Sequence, residues 1–196
     1  MNKIMELKGV HVGQTAYIVG SGPSLQYLEA DNFGDGIVVA LNDTILKVEQ
    51  LGIPNKTYSM QKDGCLVCRR KCPPCWTVKP QKATLLVHKQ ESAWRLQEYA
   101  PRYVFSNKED FNIPWFTFSS VVAIHIVALM GCNRIVLVSH DAMATGDTGR
   151  WSVRNHDDLS NKSNEGYLEQ AKTEMLIVLN SKSIEFEFLT PKNKKG

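Results

Sequence analysis

Residues 15–30 read TAYIVGSGPSLQYLEA, an apolar segment followed by a turn rich in glycine and serine and then by a second apolar pattern. The β-branched residues favour a buried strand over Thr15–Gly20, and the leucine spacing favours a helix over Ser24–Ala30. A bare connector between two such elements does not require two glycines, a proline and two serines, whereas a phosphate-binding turn uses these residue types. The stretch therefore predicts a strand, a ligand-binding turn and a helix.

The chemistry of the turn lies in Gly20, Ser21, Gly22, Pro23 and Ser24. The glycines remove side chains that would keep a phosphate away from backbone N–H groups, and the proline makes the turn rigid. Ser24 is a good helix N-cap, or its hydroxyl can face a ligand, and the helix N-terminus adds about half a unit of positive charge. The third glycine of the dinucleotide fingerprint and the Gly-Lys-Ser/Thr of a P-loop are absent. A tight turn that binds nothing is the alternative.

Apolar strands and helices continue to alternate along the rest of the chain. Further strands are expected at 36–43, 55–60, 83–88, 102–107, 134–142 and 184–191, and helices at 44–52, 91–100, 119–131 and 166–181. Continuous apolar strands that alternate with helices predict an α/β fold, with a Rossmann-like, doubly wound and mostly parallel sheet. We expect one domain over 1–196, with a short Cys-rich basic insert at 61–82.

Polar residues follow several of the predicted strands. Because ligands of such sheets bind at the carboxyl ends of the strands, these residues are expected to share one site. The clusters are Gly20–Ser24, Asn42–Asp43 and Ser139–Asp141.

Composition limits the class of protein. The 196 residues are 43% hydrophobic with a net charge of +3, which suits a globular domain and is compatible with an anionic partner without demonstrating nucleic-acid binding. The start MNKIMELKGVHVGQ lacks the apolar segment of a signal peptide, and no apolar run approaches the roughly 20 residues of a membrane span. Five cysteines without a signal predict a cytoplasmic protein with thiols or a metal rather than disulfides.

The insert carries a cysteine cluster, CLVCRRKCPPC, with the spacing C-x2-C-x3-C-x2-C. Four thiolates at this spacing predict a closed, structural Zn²⁺ site, although free thiols or an iron–sulfur cluster are alternatives. The predicted ligands are Cys65, Cys68, Cys72 and Cys75. Basic residues beside Trp76 would hold a polyanionic acceptor such as nucleic acid, or they form only a solvated face.

Two further stretches support a resemblance that begins with AYIVGSGPSL. This opening resembles that of small bacterial sialyltransferases and of a related pterin-diphosphokinase-like family. SSVVAIHIVALMGCNRIVLVSHDA is similar to their helix ending in Ala-Leu-Gly and the strand ending in Asp, and ALND is similar to their second-strand Asn. The resemblance covers 16–60 and 117–142, more loosely 155–191, and not the insert. It implies a Rossmann-like transferase that binds a nucleotide or nucleotide-sugar without a dinucleotide cofactor.

The resemblance also implies roles for individual residues. Gly20, Ser21, Gly22, Pro23 and Ser24 would line the phosphate or ribose, with Asp43 in the polar pair beside the donor-contacting Asn42. Ser119 and Ser120 would meet the nucleotide at a helix start, and Asp141 would lie beside it. His140 stands where the family often has an apolar residue, which is expected to make the site more titratable.

Glycosyl transfer needs a general base for the acceptor hydroxyl, a role that suits histidine. The resemblance places this base at His156, in a loop before the last long helix, where Asp157 or Asp158 would orient it. His140 and Asp141 are the other catalytic candidates. Arg150, Arg154 and Lys162 are candidate phosphate partners, since the tyrosines that hold the leaving phosphate in the family are missing here. A surface role for His156 and a structural role for His140 are the alternatives, and His125 is expected to belong to the core.

The leading hypothesis is a glycosyltransferase that uses a nucleotide-sugar donor and a polysaccharide, glycan or modified DNA base as acceptor. The first alternative is an ATP-dependent, pterin-type diphosphokinase that needs Mg²⁺, for which the candidate carboxylates are Asp43, Asp63, Asp141 and Asp147. The second is a non-catalytic module that binds nucleotide or nucleic acid.

Overall fold

The computed structural model describes residues 2–62, 78, 80–89, 102–114, 117–147, 149 and 165–193. Its centre is a sheet of eight strands in the order β1-β6-β5-β4-β3-β2-β7-β8, and each neighbouring pair is parallel. The strands are β1 (Asn2–Lys3), β2 (Thr15–Val19), β3 (Ile37–Leu41), β4 (Lys56–Gln61), β5 (Thr84–His88), β6 (Arg102–Phe105), β7 (Arg134–Val138) and β8 (Glu185–Leu189).

Helices connect these strands. In the described part they are α1 (Thr44–Gln50), α2 (Asn107–Phe111), α3 (Ser119–Leu129), α4 (Asp141–Ala144) and α5 (Glu165–Ser181). Three short 3-10 helices span Ile4–Leu7, Pro23–Tyr27 and Ala30–Asn32. Of these described helices, none has the length and apolar character needed to cross a bilayer.

The sheet is covered on both faces, because side chains alternate along each strand. On β3, Ile37, Val39 and Leu41 pack in the larger core with α3 and with Met175 and Leu179 of α5. The intervening β3 residues Val38 and Ala40 pack in a second core with α1. Burial on both faces explains why the strands are continuous apolar runs, and it confirms the predicted α/β class.

The chain reverses its direction of winding between β2 and β7. From β2 it steps outward through β3, β4, β5 and β6, and then it returns to place β7 against the other side of β2. Such a reversal in strand order opens a crevice at the carboxyl ends of the two strands concerned. The sheet is therefore doubly wound, as expected, and the turn after β2 lies at its switch point.

The segment after the turn differs from the expected helix over Ser24–Ala30. It forms two 3-10 helices instead, with i→i+3 bonds such as Leu28 N–H to Leu25 C=O at 3.2 Å. A five-residue 3-10 helix aligns few peptide dipoles, so the half-charge expected at its N-terminus is reduced. The predicted helix at 91–100 lies outside the described residues.

Two short helices, α2 and α4, were not expected from the sequence. Ser106 caps α2 by accepting a hydrogen bond from the Glu109 N–H at 3.3 Å. Helix α4 begins at Asp141, where a continuation of β7 was expected. The strand ends at Val138 because Ser139 adopts a left-handed conformation with φ of 54°. Helices of four or five residues are too short for an apolar period to predict them.

The Glu49 carboxylate ties α1 to the segment before β5. It accepts hydrogen bonds from the N–H groups of Gln81, Lys82 and Ala83 at 2.8–3.0 Å. These donors would otherwise depend on water.

Replacing Glu49 by glutamine is expected to lower the free energy of unfolding by about 1–2 kcal/mol, since the amide has one acceptor oxygen and no charge. Urea denaturation would measure the change. Gln50→Ala, at an exposed position on the same helix, is the control and should cost little. Equal stability of the two variants would contradict the anchoring role.

Candidate active site at the switch point

The residues after β2 and β7 are bound directly to each other. Gly20 N–H donates to the Val138 carbonyl at 2.8 Å, and Gly22 N–H donates to the Ser139 carbonyl at 2.9 Å. The segment after β3 joins them through the Thr44 hydroxyl, which donates to the Val19 carbonyl at 3.2 Å. The three polar clusters therefore meet at one edge of the sheet, as expected from their positions at the carboxyl ends of parallel strands.

The Asp141 carboxylate occupies the first turn of the 3-10 helix. Its Oδ2 accepts the Ser24 N–H at 3.1 Å and the Ser24 hydroxyl at 2.8 Å. Both residues are buried, with Ser24 5% and Asp141 3% exposed. The donors of Ser24 that were expected to face a phosphate or ribose are thus satisfied by a carboxylate of the chain itself.

Close packing against the end of β7 explains the two glycines of the turn. A Cβ on Gly22 would lie 2.7 Å from the Ser139 carbonyl oxygen and would overlap the Asp141 carboxylate. A Cβ on Gly20 would lie 3.0 Å from atoms of the His140 ring. The glycines thus have a packing role beyond the expected approach of a phosphate, and their contact with a nucleotide stays a prediction.

Ser21 is the residue of the turn that remains available to a ligand. Gly20, Gly22 and Ser24 use their N–H groups within the protein, and Pro23 has none. Ser21 is partly exposed, and its N–H has no acceptor in the part of the chain that the structure describes. Of the backbone N–H groups in the turn that were expected to bind an anion, only that of Ser21 therefore remains among the described residues.

A serine–histidine pair connects the start of α3 to the segment that follows β7. The His140 ring lies 3.0 Å from the Val138 carbonyl oxygen through Nδ1 and 3.0 Å from the Ser120 hydroxyl through Nε2. A carbonyl oxygen can only accept, so Nδ1 carries the proton and Nε2 accepts from Ser120. The sequence did not indicate this pairing, because the two residues lie on different elements.

Burial lowers the pKa of His140 to about 4, against the smaller opposing effect of its bond to the Val138 carbonyl. The ring is therefore neutral at physiological pH. The expectation that His140 makes the site more titratable is wrong, because the side chain is only 7% exposed and a charged ring would lose its hydration. As a general base such a histidine would be weak, whereas as a hydrogen-bonding group it is well placed.

Asn42 and Ser139 are the two described residues of the site whose backbone has the left-handed conformation. Both follow directly after strands, β3 and β7, with φ of 53° and 54°. Asn42 is held by its own N–H, which donates to the Met60 carbonyl at 2.9 Å, and by the Gln61 amide, which donates to the Asn42 carbonyl at 2.9 Å. Residues held in sparsely populated conformations cluster at functional sites. Gln61 was not expected in the site, although a polar residue at the end of a buried strand could have indicated it.

The side-chain oxygen of Asn42 is buried without a hydrogen-bond partner in the described structure, as is the Ser139 hydroxyl. Buried polar atoms in native proteins are nearly always satisfied, so an orphaned acceptor at the ligand end of a sheet favours a ligand donor there. Asp43, next along the chain, is also buried, and Ser119 begins α3 with its side chain partly exposed.

Several predicted site residues lie outside the described residues. They are the candidate base His156 with Asp157 and Asp158, the candidate phosphate partners Arg150, Arg154 and Lys162, the candidate Mg²⁺ ligand Asp63, and the candidate zinc ligands Cys65, Cys68, Cys72 and Cys75. Their roles stay predictions. Within the described ranges, no group of three or more His, Cys, Asp or Glu side chains is arranged to hold a metal ion.

A scan against protein-family models gives no match, and a search of the curated proteins gives no similar sequence. Among solved structures, the chain is similar to a mammalian sialyltransferase in complex with Gal-beta-1-3GalNAc-ortho-nitrophenol, at 10% identity and a TM-score of 0.48, over 96% of this chain and 77% of that one. It is also similar to the sialyltransferase CstII from Campylobacter jejuni in complex with cytidine-5'-monophosphate, at 9% identity and a TM-score of 0.40, over 94% and 83%. A further sialyltransferase structure, CST-II with a trisaccharide acceptor and CMP, matches at 12% identity and a TM-score of 0.41, over 93% and 83%. At such identities and TM-scores, the likeness does not define an activity for this chain.

Proposed function

We propose that this protein is a glycosyltransferase that moves a sugar from a nucleotide-sugar donor to an acceptor hydroxyl. The observation that carries the proposal is the set of polar groups at the carboxyl ends of β2 and β7, where the strand order reverses. Asn42 Oδ1, which is buried with no hydrogen-bond partner among the described residues, and the Ser120 hydroxyl, which is bonded to His140, lie on elements that meet at this edge of the sheet. Ligands of doubly wound sheets bind at such an edge.

The donor would be held by groups that lie at this edge. Ser21 N–H would donate to a phosphate or ribose oxygen, and Asn42 would accept from a hydroxyl or amine of the donor. Ser119 and Ser120, at the start of the eleven-residue helix α3, would contact the nucleotide or its sugar. The sequence resemblance to sialyltransferase-like proteins supports the same placement of these residues.

In the transfer step, the acceptor oxygen bonds to the anomeric carbon of the donor sugar while the bond from that carbon to the phosphate oxygen breaks. The base takes the acceptor proton, and the nucleotide leaves with the electron pair. We assign the base to His156 and stabilisation of the leaving phosphate to Arg150 and Arg154, since guanidinium groups bind phosphate in a bidentate manner. A polysaccharide, a glycan or a modified DNA base would be the acceptor.

Binding and turnover test the proposal with Asn42→Gly. Titration calorimetry with CMP-, UDP- and GDP-sugars and with ATP would identify the nucleotide, and release of free nucleotide in the presence of acceptors would report transfer. We expect Asn42→Gly to weaken binding of the donor at least about tenfold, because a buried hydrogen bond is lost.

Asn112→Gly is the matched control, since Asn112 also has a left-handed backbone, with φ of 54°, at the end of α2. Glycine tolerates this conformation at both positions, so neither variant should unfold. Binding of ATP with Mg²⁺ alone would replace the proposal by a diphosphokinase, and binding without turnover would replace it by a non-catalytic module. Equal donor binding by Asn42→Gly and the control would remove Asn42 from the site.

A further inference from the structure

We infer that Ser120 meets its ligand only as a hydrogen-bond acceptor, so that this position selects a neutral hydroxyl and disfavours a carboxylate or phosphate oxygen. The inference rests on the proposed function and makes Ser120 a specificity-determining residue, with His140 as the positioning residue behind it.

The polarity follows from the chain of hydrogen bonds that ends at Ser120. The Val138 carbonyl accepts from Nδ1 of His140, so that nitrogen has the single hydrogen of the neutral ring. Nε2 then has only a lone pair, and the one hydrogen of the Ser120 hydroxyl points to it across 3.0 Å. The Ser120 oxygen has no second hydrogen to donate, and only its lone pairs remain for a ligand.

Packing holds the histidine in this orientation. The side chain is buried, and the ring lies against Gly20, where even a single added carbon would be 3.0 Å from Cε1 and Nδ1. The Val138 carbonyl is fixed in turn by the Gly20 N–H at 2.8 Å. The acceptor on which the tautomer depends is therefore a rigid backbone group at the end of β7.

Selection follows from the cost of reversing the Ser120 hydroxyl. If it turned to donate to an anionic oxygen, Nε2 of His140 would be left buried without a donor, a state that is strongly disfavoured. A ligand hydroxyl avoids this cost because it supplies its own hydrogen. Ser120 is partly exposed at the start of α3, so a ligand can reach its lone pairs. We expect discrimination against an anionic oxygen of about tenfold or more.

Three variants test the inference by titration calorimetry. The probes are of three kinds. UDP-galactose and GDP-mannose carry neutral sugars, CMP-sialic acid carries a sugar with a carboxylate, and CMP, UMP and GMP carry no sugar other than the ribose. Ser120→Ala should weaken binding of the preferred neutral-sugar donor about fivefold or more, and Ser120→Thr should retain it. If CMP, UMP or GMP loses as much affinity as the corresponding nucleotide-sugar, the hydroxyl belongs to the ribose rather than to the sugar.

The third variant is His140→Asn, which keeps an amide donor near the Val138 carbonyl but is too short to accept from Ser120. It should shift the ratio of affinities towards CMP-sialic acid by about tenfold, since the serine hydrogen becomes free. An unchanged ratio, or an unchanged affinity of Ser120→Ala for every probe, would overturn the inference while leaving the proposed function intact. Absence of binding by the wild type would overturn both.

Nitrogen NMR of the unliganded protein gives a readout that needs no ligand. We expect the His140 ring to show a protonated Nδ1 and an unprotonated Nε2 at neutral pH. The opposite tautomer would overturn the inference whatever the binding data show, and this measurement does not depend on the proposed transferase activity.

Discussion

Replacing Gly22 with alanine is expected to lower the free energy of unfolding by about 3 kcal/mol. The added methyl would overlap the Asp141 carboxylate and lie 2.7 Å from the Ser139 carbonyl oxygen. Overpacking alone costs about 1–3 kcal/mol, and displacement of Asp141 would also break its two bonds to buried Ser24. The backbone itself is not the obstacle, since Gly22 has a φ of −65°.

Chemical denaturation of Gly22→Ala beside Gly52→Ala would check this. Gly52 has a φ of 62° with no atom within 4 Å of an added Cβ, so alanine there costs only backbone strain of about 1–2 kcal/mol. In a second arm, Asp141→Ala should be less damaging in the Gly22→Ala background than in the wild type, because it removes the overlapping group. Additive effects of the two substitutions would show that the turn and the end of β7 are not in contact.

Acidification is expected to destabilise the protein through His140. Its pKa is about 4 when folded, below the ordinary value of 6.5, so between these values the unfolded chain binds more protons. The stabilisation from the neutral His140 is therefore fully present above the ordinary pKa of 6.5. It is lost as the pH falls towards the folded-state pKa of about 4. Acidification from about pH 7.5 to pH 5 should therefore lower the free energy of unfolding by about 2 kcal/mol through His140 alone.

Urea denaturation across this pH range, in the wild type and in His140→Asn, would measure the contribution. The variant lacks the titrating ring, so its stability should fall less steeply with acidification. Burial also lowers the pKa of His125 to about 4, but the contribution of this residue is common to both proteins and cancels in the comparison. Equal pH dependence of the two proteins would contradict a buried, neutral His140.

Seven of the eight described strands could be predicted from the sequence to within a few residues, whereas the two-residue strand β1 was not predicted. The runs that became β2, β3, β5 and β7 are short, apolar and rich in β-branched side chains, and each lies between polar or glycine-containing segments. The preference of such a run for a buried strand can be read from its own residues, because burial on both faces of a parallel sheet requires nearly every side chain to be apolar. Helix α3 was also predicted from its nearly continuous apolar sequence, which is typical of a buried helix.

The same local patterns located the candidate site but not its internal bonds. The sequence placed the glycine-rich turn, Asn42 and the Ser139–Asp141 cluster at the ends of strands, and the parallel topology then required them to meet. It did not show that Ser24 binds Asp141, because the two residues are 117 positions apart. The sequence likewise did not predict α4, because a helix of four residues is too short to show a helical repeat of apolar residues.

The sequence by itself therefore determined the α/β class, the order of the strands along the chain and the polar residues at their carboxyl ends, since these depend on local preferences and periods. Tertiary structure alone decided which groups of the glycine-rich turn are left for a ligand and how His140 is protonated. Both depend on the return of the chain from β6 to β7 beside β2, which brings a carboxylate and a buried imidazole against residues from distant parts of the sequence.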